Sequence, residues 1–274
     1  MDAETARKQA FSQARQTLSE NALIEVQECL VDEFYTDHTD KTWKGFRVLG
    51  LDGSTGQLPM TESMLTEFGA VTNQDGPVMA MGRVSVLSAV ENKRTVDAIL
   101  ATDTAAERDL AGPHLQALEA FDARAVGHQG PTNDLVLCDL GYPAGGLLAY
   151  LLLLGKEFVI RTSAECVQEV QEAIGSAQND GVITIPVQTA DRPLPEKLTH
   201  LVPTIDPDMV LTIRVIKLVL DDGTPEYLLP FWLAAERFPA SDFPERYAKR
   251  GGSETNYAVF KNLLESENFP GQSP

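Results

Sequence analysis

The segment ERYAKRGGSETNYAVFKNLLESENF, Glu245 to Phe269, spaces a tyrosine, an arginine, a glutamate and a lysine at intervals of three, four and seven. On a single α-helix, Tyr247, Arg250, Glu254 and Lys261 would share an arc of about 60°. An acid and two cations on one stripe suit a metal ion held by the carboxylate, with phosphates met by the cations. Two further acids stand directly after apolar runs: Asp52 after VLGL and Asp139 after LVLC, with glycine following at once or one residue later. Strand ends in α/β sheets line the crevice where ligands bind. Three carboxylates arriving from two strands and a helix could hold one or two Mg2+ ions, hard cations that take oxygen ligands. Two such ions about 4 Å apart activate an attacking water and stabilise the leaving oxygen of a phosphodiester. The same residues have a plainer reading. Asp-Gly makes turns, and Arg250 with Glu254 is an ordinary i,i+4 helix pair contributing about 0.2–0.5 kcal/mol.

The elements that must position these residues are legible in outline. The chain starts with an interrupted apolar stripe of Phe11, Leu18, Leu23, Ile24 and Leu30, which predicts helix. FRVLGLDGS predicts a buried strand that stops at the turn dipeptide Asp52-Gly53. VMAMGRVSVLSAV and RTVDAILAT are the next strands, and AAERDLAGPHLQALEAF is helical with a break expected at Gly112-Pro113. DLVLCDLGYPAGGLLAYLLLLGKEFVIRT has the outline of strand, helix and strand, a βαβ unit that favours a parallel pair. GVITIPV, MVLTIRVIKLVL and PEYLLPFWL then alternate as antiparallel strands do, with a hairpin turn expected at Asp222-Gly223. The organisation expected is a helical segment over 1–40, an α/β core over 41–164, a β-rich insertion over 165–230 and a helical region over 231–274.

Bulk properties bound the function. The 274 residues are 43% hydrophobic, enough for a large core. The most apolar run, LLAYLLLLG, is far short of the roughly 20 residues a membrane span needs, so no membrane partner is expected. The N-terminus is polar and unlike a signal peptide. Three cysteines without a CxxC pair fit a reduced interior, argue against a zinc knuckle and point to a cytoplasmic location. The net charge of −18 repels polyanions at long range and stands against an unaided nucleic-acid binder. The acidic loop VDEFYTDHTD reads as a solvated face rather than a metal site. His114, His128 and His200 have no partner visible in the sequence.

The spacing Tyr247-(2)-Arg250-(3)-Glu254-(6)-Lys261 resembles the Y-(2)-R-(3)-E-(6)-K signature of bacterial insertion-sequence DDE transposases of the IS-four family. TWKGFRVLGLDGSTGQLP is similar to that family's first-aspartate region, LVLCDLGYPAGGLLAYLLLLGKEFVIR to its second, and SETNYAVFKNLLESENFPGQSP to the end of its third. The likeness implies a fold: an RNase H-like mixed sheet flanked by helices, with a β-rich insertion before the last catalytic helix. It implies Asp52, Asp139 and Glu254 as catalytic, metal-binding residues for Mg2+ or Mn2+. It gives Tyr247, Arg250 and Lys261 the DNA- and phosphate-contacting roles. The implied reaction is hydrolysis at transposon ends followed by strand transfer, on double-stranded DNA of ends and target. The implied setting is a homodimer on DNA in the bacterial cytoplasm, at the nucleoid when bound. The chain departs from the pattern at Leu140, where the family carries arginine, and at Gly251-Gly252, where it carries tryptophan after the signature arginine. Those departures leave an alternative: a catalytically degenerate RNase H-like relic serving as a binding or interaction module.

Overall fold

In the computed structural model the described residues are 10, 13–14, 17–37, 41–72, 78–124, 133–139, 145–162, 179–186, 210–220, 223–231 and 234–251. They fall into two units, the first holding described residues up to Asp37 and the second those from Lys41 onward. In the first, helix α1 (Glu20–Asp37) begins beside Ser19, whose hydroxyl accepts from the Ala22 N–H at 3.3 Å in the manner of an N-cap. Its Leu23, Ile24 and Leu30 are exposed. No described helix is long and apolar enough to cross a membrane.

The second unit is built on one sheet. Its elements are β1 (Phe46–Leu58), α2 (Glu62–Phe68), β2 (Ala70–Thr72), β3 (Val78–Ala89), β4 (Arg94–Thr102), α3 (Glu107–Arg124), β5 (Asn133–Cys138), α4 (Gly145–Leu153), β6 (Glu157–Thr162), β7 (Asp180–Pro186), β8 (Val210–Val219), β9 (Pro225–Pro230) and the short helix α5 (Phe243–Ala248). The strand order is β2-β3-β1-β5-β6-β9-β8-β7, with β4 also on β3. β4, β3 and β1 pair antiparallel; β1, β5 and β6 pair parallel. Each parallel connection carries a helix, as parallel pairing requires. An antiparallel trio followed by two parallel strands crossed by helices is the RNase H-like sheet, so the expected fold class is the one observed. β7 to β9 extend that sheet from β6 by antiparallel pairing, which is where the expected β-rich insertion goes.

Two expected breaks are absent. β1 does not stop at Asp52-Gly53: it runs on to Leu58, because β3 keeps pairing with it from Leu49↔Ala89 to Leu58↔Ala80. Asp52 and Gly53 are therefore strand residues, not a turn. α3 is continuous across Gly112-Pro113. A proline inside a helix removes a backbone hydrogen bond, but Leu110, Ala111, His114, Leu115, Leu118 and Phe121 are all buried and hold the helix on the sheet. At the β8–β9 hairpin, Gly223 takes φ +84, a conformation that favours glycine.

Alternation along the strands divides the sheet into two faces. Arg47 in β1 and Asp134 in β5 lie toward α3, where both form ion pairs with its side or with Lys156. Phe46, Val48, Leu135, Leu137, Val159 and Leu228 lie on the other face. They pack with Trp43, Ile216, Phe238, Phe243 and Tyr247 into one buried cluster. This second face, covered by α5, carries the candidate site.

Candidate active site

The apolar alternation that buries Phe46 and Val48 puts Asp52 on the same face, and that of Leu135 and Leu137 does so for Asp139. The parallel register pairs Phe46 with Asn133 and Gly50 with Leu137. Carried on by two residues, it sets Asp52 level with Asp139. The β5–β6 register pairs Cys138 with Ile160, which sets Asp139 level with Arg161. The two aspartates and Arg161 thus form a row across three adjacent strands.

Helix α5 delivers the other half. Arg246 and Lys249 both pair with Glu91 beyond β3, and Lys44 pairs with Asp242 at the helix start. Phe243 and Tyr247 are buried in the cluster. The Tyr247 hydroxyl donates to the Cys138 carbonyl at 3.0 Å, with Asp139 Oδ1 farther off at 3.5 Å. The α-helix then gives way to a 3-10 turn over Lys249–Gly251, so Tyr247 and Arg250 do not stand on one α-helical stripe. The Gly251-Gly252 pair accounts for this, since glycine inside a helix costs about 1 kcal/mol relative to alanine.

Arg250 closes the row. Its Nη1 donates to Asp52 Oδ1 at 3.2 Å and its Nη2 lies 3.0 Å from Asp139 Oδ2. Asp52 Oδ1 also accepts from the Gly53 N–H at 3.0 Å. Asp139 Oδ1 accepts from Arg161 Nε at 2.7 Å, and Arg161 Nη1 donates to Glu226 Oε1 on β9 at 2.6 Å. The Tyr247 ring lies 5.6 Å from the Arg250 guanidinium and 6.0 Å from that of Arg161. Beneath Arg250, Gly50 keeps β1 bare: a Cβ there would meet Val90 at 3.1 Å.

Burial raises the Tyr247 hydroxyl pKa well above its ordinary value, with Arg250 opposing and Asp139 assisting. Burial likewise pushes the Cys138 thiol up to about 12, which makes it an inert wall rather than a nucleophile. At the mouth, Glu107 opens α3 beside Gly53 and pairs with Arg83 at 3.1 Å. Burial raises its pKa, Arg83 and Arg250 lower it, and Asp52 and Asp139 raise it further.

Four of the six residues expected from the sequence are therefore together: Asp52, Asp139, Tyr247 and Arg250. Glu254 and Lys261 lie outside the described residues, as does Leu140. The structure adds Arg161, Glu226 and Glu107. Arg161 shared a period-2 face with Val159 in FVIR and could have been placed by that alternation. Glu226 and Glu107 depended on β9 pairing with β6 and on where α3 begins, which no local pattern states.

His114 acquires partners too. Its Nδ1 is 2.6 Å from Asp97 Oδ2 and its Nε2 is 2.9 Å from Ser85 Oγ. This is the residue order of a hydrolytic triad, yet Ser85 and His114 are each 0% exposed, so no substrate reaches the hydroxyl. The row ties α3 to β3 and β4 beneath the site.

For a divalent metal, the donor chemistry fits in part. Two carboxylates on neighbouring strands already converge on one cationic group, the guanidinium of Arg250, and the converging donors are oxygens, as Mg2+ prefers. Among the described residues no group of three His, Cys, Asp or Glu side chains could hold a metal.

No family model matches the chain, and no curated protein matches it. Among solved structures it is similar to the piggyBac transposase in a cryo-EM synaptic complex with hairpin DNA, at 12% identity and a TM-score of 0.46. That likeness covers 95% of this chain and 48% of the other, so the chain spans about half the length of that transposase. The RNase H-like fold rests on strand order and pairing, independently of it.

Proposed function

We propose that the chain is the catalytic core of a DDE transposase, cleaving DNA strands at transposon ends and transferring them to target DNA. One observation carries the reading: Asp52 in β1 and Asp139, the residue that follows β5, converge on a single cation. Asp52, Asp139 and Glu254 would hold Mg2+ or Mn2+, which when bound supplies Lewis acidity and an activated water for phosphodiester attack. The protein's own part is positioning. β1 and β5 set two carboxylates at one height. Arg161, Tyr247 and Arg250 fix the second of them. Tyr247, Arg250 and Lys261 are offered as the phosphate-contacting set, with arginine suited to the bidentate geometry. Double-stranded DNA is the substrate, a pair of protomers the working unit, and a bacterial insertion sequence of the IS-four family the source.

The test is a nicking assay on end-containing duplex DNA with Mn2+, comparing the parent with Asp139→Asn. The parent should nick and the variant should not, with unfolding curves that overlay within a few degrees. A variant that nicks at the parental rate removes Asp139 from the chemistry and the reading with it.

The second reading, a non-catalytic RNase H-like binding module, has its own observation in favour. Both aspartates are neutralised by arginines, as in a structural ion-pair cluster. DNA binding that is indifferent to Mn2+, with no nicking by the parent, would establish it.

A further inference from the structure

We propose that Arg250 is the resident cation of the Asp52–Asp139 pair, holding the two carboxylates in place and yielding that place to a divalent ion. The inference rests on the metal reading above and adds a property to it: ion and guanidinium compete for the same oxygens. Asp52 in β1 and Asp139 just past the end of β5 carry like charges that meet at one guanidinium, an arrangement that is unfavourable without a counter-charge. Arg250 supplies one. Its Nη1 takes Asp52 Oδ1 and its Nη2 takes Asp139 Oδ2, so a single planar group bridges the strands.

The bridge is a built feature. Arg250 is 4% exposed, lies over the Tyr247 ring and packs over Gly50 of β1, its Cγ 3.9 Å from where a Cβ there would stand. The other oxygen of Asp139 is held separately by Arg161, so that carboxylate keeps its orientation whichever cation faces Oδ2. Two cations cannot share one pair of converging oxygens at contact distance. Arg250 sits in a 3-10 turn followed in sequence by Gly251-Gly252, where rerouting the backbone is least costly. Freed from the carboxylates, its fork is available to a phosphate.

The experiment is a calorimetric Mn2+ titration of the full chain, with Arg250→Gln, Arg250→Lys and Arg83→Gln as variants, alongside thermal unfolding in chelator and in Mn2+. Arg83 is the charge control, because it pairs with Glu107 at the start of α3, on the α3 side of β1, rather than with either aspartate. Arg250→Gln should bind Mn2+ about tenfold more tightly than the parent, and Arg83→Gln less than about threefold. Arg250→Gln should also melt lower than the parent in chelator and recover most of that loss in Mn2+. Arg250→Lys keeps the charge without the fork; it should fall between the two, and it serves if the glutamine variant does not fold. Equal or weaker Mn2+ binding by Arg250→Gln and Arg250→Lys overturns the competition and leaves the metal reading intact. Absence of Mn2+ binding in the parent and every variant overturns both.

Discussion

Arg161 donates to Asp139 at 2.7 Å through Nε and to Glu226 at 2.6 Å through Nη1, so the inserted strands reach the second aspartate through one side chain. Burial alone would lower the Arg161 pKa, but its bonds to Glu226 and Asp139 outweigh that and raise it. A planar two-point contact is what lysine cannot reproduce. Arg161→Lys is expected to cut nicking at least about tenfold while lowering stability by about 1 kcal/mol or less, given the partial exposure of the cluster. Nicking rates and urea unfolding on one preparation check this. An unchanged rate would leave Arg161 as scaffold only.

Tyr247 offers a cleaner dissection. Its hydroxyl stays protonated across the working range because burial raises its pKa, so it is a neutral donor to the Cys138 carbonyl. Tyr247→Phe keeps the ring beside both guanidinium groups and removes that one donor. The carbonyl just before Asp139 then loses its partner, at a cost of about 1–3 kcal/mol. Tyr247→Leu should cost more, through lost packing in the Phe243 cluster. Denaturant midpoints of the two variants should rank accordingly; parental stability in both would show that α5 is not held by this residue.

On the opposite face, stability is concentrated in a charge network at the starts of β1, β5 and β6. Asp134 accepts from Arg47 at 2.7 Å and 3.0 Å and from Lys156 at 2.7 Å, while on α3 Asp122 accepts from both cations and Glu119 pairs with Lys156 at 3.2 Å. Asp134 is 2% exposed and Arg47 3%. Asp134→Ala removes the most buried carboxylate from two cations that keep Asp122, and should cost about 1–3 kcal/mol at neutral pH. Lys156 has a raised pKa: burial pulls it down, and Asp134 and Asp122 more than compensate. Its contribution is therefore fully present below its ordinary value of 10.5 and is lost only as pH rises through the higher folded value. Chemical denaturation between about pH 7 and pH 10 should show a parent-minus-variant difference that does not decline.

What the sequence disclosed follows from the range of the forces involved. Strand and helix types came from periodicity, a local property, so β3, β4 and the unit from β5 to β6 were placed within a few residues. The strand ends at Asp52 and the break at Gly112-Pro113 were misread because the deciding terms were not local: β3 pairs across Asp52-Gly53, and the sheet holds α3 through Pro113. Asp52 and Asp139 were singled out for following apolar runs. Their equal height is a matter of register, which no single strand specifies. The Arg250 bridge was illegible for the same reason. In the sequence Arg250 reads as a helix-stripe cation beside Glu254; its partners come from two strands far away in the chain.

Glu107 gives the crevice a measurable dependence on pH. It opens α3 with its carboxyl group 3.1 Å from where a Gly53 side chain would begin, paired to Arg83. Burial is the largest influence and raises its pKa above 4.5; Arg83 and Arg250 oppose, while Asp52 and Asp139 add to the rise. A carboxyl group with a raised folded value binds its proton more tightly in the folded state, so its ionisation opposes folding. Below about 4.5 both states are protonated and the penalty is absent. It grows as pH climbs through the raised folded value and is complete above it. Glu107→Gln cannot ionise and escapes the penalty, though it also weakens the pair with Arg83. The stability of the variant relative to the parent should therefore rise between about pH 4 and pH 7, by under about 1 kcal/mol after allowance for solvent screening. Urea unfolding at several pH values, with the exposed Glu67→Gln as a control, reads the slope directly. A flat difference, or one of opposite sign, would mean that Glu107 faces water and is no part of the crevice.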